Sequence, residues 1–107
     1  MKPLILALFI TLTANPATAG DADLWCMVAI GQAIACRLPP SETHYCAALV
    51  RSLGRFDAQK TADWIEEARD YQRGHLDTCP RVRRSTRGSE AIAAGLLFDA
   101  GIDPGPP

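Results

Sequence analysis

Four cysteines, Cys26, Cys36, Cys46 and Cys79, in a chain of 107 residues that opens like an export signal, constrain what this sequence can fold into. Met1-Lys2 supplies a positive n-region, residues 4–12 are apolar except for Thr11, and Ala17-Thr18-Ala19 forms a small-residue cleavage site. Cleavage after Ala19 is expected. The apolar run is too short for a spanning helix, which needs about 20 residues. No later segment comes nearer to that length, so no stable membrane span is expected after cleavage. An even cysteine count in a short exported chain predicts two disulfides. Zinc would call for C-x₂₋₄-C pairs, whereas successive cysteines here are separated by nine, nine and thirty-two intervening residues. No metal and no cofactor are expected.

Removal of residues 1–19 leaves one small domain near the size at which a hydrophobic core alone is marginal. Twelve acidic residues against eleven basic ones give a formal net charge of −1, and loss of Lys2 makes the balance slightly more acidic. Such a chain is not a general binder of nucleic acid or of an anionic membrane surface, both of which select basic proteins.

The pattern is helical throughout, with no strand alternation, hairpin signature or internal repeat. Residues 24–38 are apolar on nearly every side, as suits a central buried helix, with Gly31 permitting close packing and Pro39-Pro40 stopping it. Ser41 is placed to cap a second helix with Cys46, Leu49, Val50 and Leu53 on one stripe, ended by Gly54. Asp57 can cap a third, amphipathic helix that stops at Gly74. An arginine-rich link then leads to Ser89, which can cap a fourth helix from Glu90 to Ala100, closed by Gly101. The expected architecture is all-α: a signal peptide (1–19), a three- to four-helix domain (20–102) containing an αα-hairpin and stapled by two disulfides, and a disordered tail (103–107).

In one continuous helix, Cys26 and Cys36 stand roughly 15 Å apart along the axis, beyond the ~7 Å limit on Cα separation in a disulfide. If the first two helices reverse tightly at Pro39-Pro40, Cys36 faces Cys46 across the αα-turn, leaving Cys26 for Cys79. The expected bridges are therefore Cys36–Cys46 and Cys26–Cys79, which loop entropy values at roughly 2.7 and 4 kcal/mol.

No catalytic residue is assigned, and the chain reads as a non-enzyme. His44 and His75 lie in no catalytic or metal motif and read as solvent-facing or locally hydrogen-bonded imidazoles. Glu66 and Glu67 point about 100° apart on a helix and do not converge on a substrate, while Arg69 and Arg73 offer them ordinary partners. Trp25 and Trp64 lie within apolar helical patterns and read as packing residues. Arg81, Arg83, Arg84 and Arg87 form the densest charge run in the chain. They are the candidate partner-binding residues, weighed against a solvated loop balanced by the acidic third helix.

The order of landmarks, Cys26, then Cys36-Arg37-Leu38 and Pro39-Pro40-Ser41-Glu42 before Cys46, Leu49, Arg55-Phe56, Ala68-Arg69 and Leu76-Asp77-Thr78-Cys79-Pro80, resembles the TrbM/KikA family of small exported proteins of bacterial conjugal transfer. The resemblance runs from Cys26 to Pro80. It implies a periplasmic, non-enzymatic accessory of a conjugative type IV secretion apparatus, acting by binding another exported or envelope protein. Two rival readings suit the same stapled scaffold: an exported inhibitor or immunity protein against a neighbouring toxin or lytic enzyme, and a small periplasmic chaperone. N-terminal sequencing of the exported protein is expected to begin at Gly20, and a mature chain retaining residues 1–19 would contradict the assigned address.

Overall fold

The computed structural model describes residues 21–106. The expected signal peptide (1–19) and its cleavage site lie outside the described residues. Helix α1 occupies residues 21–35, α2 is His44–Leu53, α3 is Ala58–Arg73 and α4 is Cys79–Asp99. Short 3₁₀ turns at Pro40–Thr43 and Leu76–Thr78 precede α2 and α4. Among the described residues there is no strand, so the fold is all-α with four helices.

Helix α1 ends before the prolines that were expected to stop it. Leu38, forced toward extended backbone by Pro39, cannot continue the helix, and Arg37 absorbs the reversal with a φ of 60°. The Leu38 amide donates to Ala33 O and the Arg37 amide to Ile34 O, a Schellman closure that usually employs glycine. Helix α4 closes in the same way at Gly101, with the Ile102 amide donating to Leu97 O and the Ile102 side chain folded against the core.

The disulfides are Cys26–Cys46 and Cys36–Cys79, with Cα separations of 4.9 and 5.6 Å, which corrects the expected Cys36–Cys46 and Cys26–Cys79 pairs. The rise argument holds, since Cys26 and Cys36 are not joined. The tight hairpin does not: residues 36–43 form a turn, an extended step and a 3₁₀ turn that carry the chain back along α1. Cys46 consequently arrives beside Cys26, and Cys36 at the far end of α1 meets Cys79 at the start of α4. The loops closed span 20 and 43 residues, worth about 3 and 4 kcal/mol by loop entropy.

These links place α1 at the centre. Helix α2 runs antiparallel to it, since Cys46 pairs with Cys26 and Arg55, just past α2, reaches back to Asp23. Helix α4 is also antiparallel to α1 and packs along α2. The core they share is built from small residues, Ala22, Ala29, Ala48 and Ala93 with the Cys26–Cys46 bridge, and is filled by Leu49 and Leu97. The hydroxyl of Thr86, wholly buried on the inward face of α4, has no hydrogen-bond partner among the described residues. Trp25 and Trp64, expected to pack inside, are 61 and 40% exposed; Trp64 lines an open hollow between α1 and α3 with Val28 and Gln32, and neither indole enters the small-residue core.

Two capping expectations change. Pro40–Thr43 is a 3₁₀ turn, so Ser41 does not cap α2, and Thr43 at the cap position makes no side-chain bond there. Instead Glu90 of α4 accepts from the Tyr45 and Cys46 amides, at 3.1 and 2.6 Å, a tertiary carboxylate cap on the positive end of α2. The arginine-rich link is helical and α4 is continuous through Gly88 and Ser89. Pro80 suits its first turn, the arginines are good helix formers, and burial of Val82, Thr86, Ala93 and Leu97 on one side outweighs the weak propensity of Gly88-Ser89. Asp57 does cap α3, accepting from the Lys60 amide at 2.7 Å, and Gly74 ends it. Residues 103–106 carry no regular structure, yet the carbonyl of Gly105 lies 2.9 Å from His44 Nε2.

Helix α3 leans on α1 through Gly31. A Cβ at Gly31 would stand 2.5 Å from Ile65 O, 2.7 Å from Ala68 Cβ and 2.8 Å from the Arg69 nitrogen, so any larger residue must push α3 away. Gly95, by contrast, has open space around it. Gly31→Ala is expected to speed amide exchange across α3 and lower the melting temperature despite the helix propensity it gains. Gly95→Ala is expected to stabilise by about 0.5–1 kcal/mol. Equal effects of the two changes in thermal unfolding would refute the close-approach role of Gly31.

Candidate functional site

The first turns of α4 divide the four candidate arginines. Pro80, Arg83, Arg84 and Arg87 follow the i, i+3, i+4, i+7 rule of a single helical stripe, and together with Cys36, Leu38 and Cys79 they line a cleft of about 520 Å³. Arg81 points to the other side of α4. There it joins Tyr71 and Gln72 of α3, His75 and Thr78 of the connection that follows, Val82 and Ser85 of α4, and Gln32 of α1, around a smaller hollow of about 300 Å³. The arginine run is therefore one three-residue face plus an outlier, a division that a linear charge count does not contain.

The floor of the three-arginine cleft is the Cys36–Cys79 bridge, flanked by Leu38 and Pro80. It is rigid because the bridge ties the end of α1 to the start of α4. Its walls are basic and exposed. Arg83 Nε lies 4.0 Å from Glu42 Oε1, and among the described residues no carboxylate is within salt-bridge distance of Arg84 or Arg87. The site offers guanidinium groups able to take carboxylates in bidentate fashion above an apolar, covalently braced floor.

Several other polar and charged side chains are engaged structurally. Gln72 is buried and donates to His75 O and Thr78 Oγ1. The Nδ1 of His75 is 2.9 Å from the Tyr71 carbonyl, and its ring stacks on Tyr71 with centroids 4.3 Å apart. Glu66 meets Arg69, and Asp70 meets both Arg69 and Arg73, along the exposed face of α3. Among the described residues, no cluster of three His, Cys, Asp or Glu side chains could hold a metal ion, and no helix is long and apolar enough to cross a membrane.

Arg55 shows how this protein uses an arginine for architecture instead. Asp23 is only 4% exposed; its carboxylate accepts from the Arg55 amide, Nε and Nη2, each at 3.0 Å, and from the Leu24 amide at 2.8 Å. Burial pushes the Asp23 carboxyl up, but the hydrogen bonds and charge of Arg55 outweigh it and hold the pKa below the ordinary carboxylate value. A lowered folded-state pKa contributes stability above the unfolded value, and that contribution is lost as pH falls through the folded one. Asp23→Asn is accordingly expected to melt below the wild type at pH above about 4, with the gap narrowing at lower pH. A gap that stays constant down to the acid limit of folding would show that Asp23 acts by packing rather than by charge. No protein-family model matches this chain, and neither does any curated protein or solved structure.

Proposed function

We propose that this protein is an exported, non-enzymatic adaptor that binds an acidic segment of another exported or envelope protein through the Arg83, Arg84 and Arg87 face of α4. The observation that carries this reading is the alignment of those three guanidinium groups over one braced cleft. Two disulfides are the chemistry of an oxidising compartment, which supports the export signal read at residues 1–19 and a periplasmic address. The overall acidic balance favours a short, complementary acidic segment over an extended polyanion, which would be repelled once it reached beyond the cleft.

The landmark order that resembles the TrbM/KikA family supports a conjugative type IV secretion apparatus as the setting. The experiment pairs a defined ligand with a cellular readout. Binding of a fluorescent ten-residue Glu/Asp-rich peptide, measured by anisotropy, is expected to fall at least about tenfold in the Arg83→Gln/Arg84→Gln/Arg87→Gln variant, equivalent to about 1.4 kcal/mol. Arg81→Gln should bind as the wild type does, and both variants should keep the wild-type melting temperature. The triple variant should also fail to restore conjugation frequency in a deletion strain. Equal binding by the triple variant overturns the cleft, whereas unimpaired transfer in the deletion strain overturns the setting.

A further inference from the structure

We propose that the two disulfides have different chemical roles: Cys26–Cys46 is permanent, and Cys36–Cys79 is an exchangeable bridge opened by thiolates that carry negative charge. Cys26 and Cys46 are 1 and 0% exposed within the alanine-rich core, so no external thiol reaches that bond without unfolding. Cys36 and Cys79 are partly exposed and form the floor of an open cleft. Access alone separates the bridges.

Charge then selects the attacking group, and helix position selects the sulfur attacked. Arg83, Arg84 and Arg87 raise the local concentration of an anionic thiol above the bond. Cys79 is the first residue of α4, where the helix end is positive and Arg83 stands one turn on, so a thiolate left there is stabilised. Cys36 follows the last residue of α1, where the helix end is negative and a thiolate is disfavoured. Cys79 is thus the better leaving group and Cys36 the sulfur attacked.

In the first step the thiolate sulfur of the incoming compound bonds to Cys36 Sγ. The Cys36–Cys79 bond breaks and its electron pair leaves on Cys79 Sγ, so one thiolate is consumed and one is formed. A second molecule of the same thiol, as thiolate, attacks the non-protein sulfur of the mixed disulfide and releases Cys36 as thiolate. Two thiols are oxidised to one disulfide as the bridge gains two electrons. The co-reactant is a small carboxylate-bearing thiol. The Cys26–Cys46 bridge, the Glu90 cap and the Asp23–Arg55 pair all lie elsewhere, so opening frees the junction of α1 with α4 while the core persists. This chemistry does not depend on a protein partner occupying the cleft.

The test compares thioglycolate, which is anionic, with cysteamine, which is cationic, at equal thiolate concentration and low salt, every rate being expressed relative to that thiol's rate on a small uncharged disulfide so that intrinsic nucleophilicity cancels, followed by acid quench, alkylation and peptide mass analysis of the folded protein. Thioglycolate is expected to open Cys36–Cys79 about tenfold faster than cysteamine, to form its mixed disulfide on Cys36, and to leave Cys26–Cys46 intact. The preference should vanish in the Arg83→Gln/Arg84→Gln/Arg87→Gln variant and at high salt, and persist in Arg81→Gln. Simultaneous loss of both bridges, equal rates for the two thiols in the wild type, or adducts on Cys79 would each overturn the proposal.

Discussion

Close approach of α1 to its neighbours is the constraint from which the rest follows. A disulfide between facing helices holds the Cys26 and Cys46 backbones 4.9 Å apart, and at that separation only small side chains fit beside it. Ala22, Ala29, Ala48 and Ala93 occupy those places, and Gly31 plays the same part where α1 meets α3. A domain of this size cannot fill a large apolar interior. It substitutes two covalent links and tight helix–helix seams, and its largest aromatic side chains remain at the surface as a consequence.

The second dependency runs through α4. Its inward stripe, Val82, Thr86, Ala93 and Leu97, keeps the helix continuous across Gly88-Ser89, and continuity puts Glu90 where it caps α2. Because the same helix is already wound at Cys79, the arginines that precede Glu90 acquire helical phase: three share a face, and the fourth looks toward α3. Structural support and the basic cleft are thus two sides of one helix. The Cys36–Cys79 bridge anchors its first turn and forms the floor of the cleft.

Much of this was legible in the residues. Apolar spacing located α1, α2, α3 and the second half of α4, Asp57 and Gly74 bounded α3, and Gly101 closed α4. The cysteine count foretold two bridges, and helical rise excluded Cys26–Cys36. The true pairing was not legible, because it depends on the path of residues 36–43, where Arg37 adopts a conformation usual for glycine and the chain runs back along α1 before α2 begins. The arginine run was found as a charge cluster. Its division was hidden by reading Ser89 as a helix start, a local propensity that long-range burial overrides.

The all-α class, the number of bridges, the turn forced near Pro39-Pro40 and the concentration of positive charge after Pro80 were determined by the sequence itself, since each rests on local backbone chemistry or on counting. Tertiary structure alone decided which cysteines meet, which carboxylate caps α2, which arginines converge over Cys36–Cys79 and why Trp25 lies outside. The physical reason is common to all four. Each requires the relative placement of two helices, and that placement is set by which small residues allow backbones to touch, a property of pairs of surfaces rather than of any one segment.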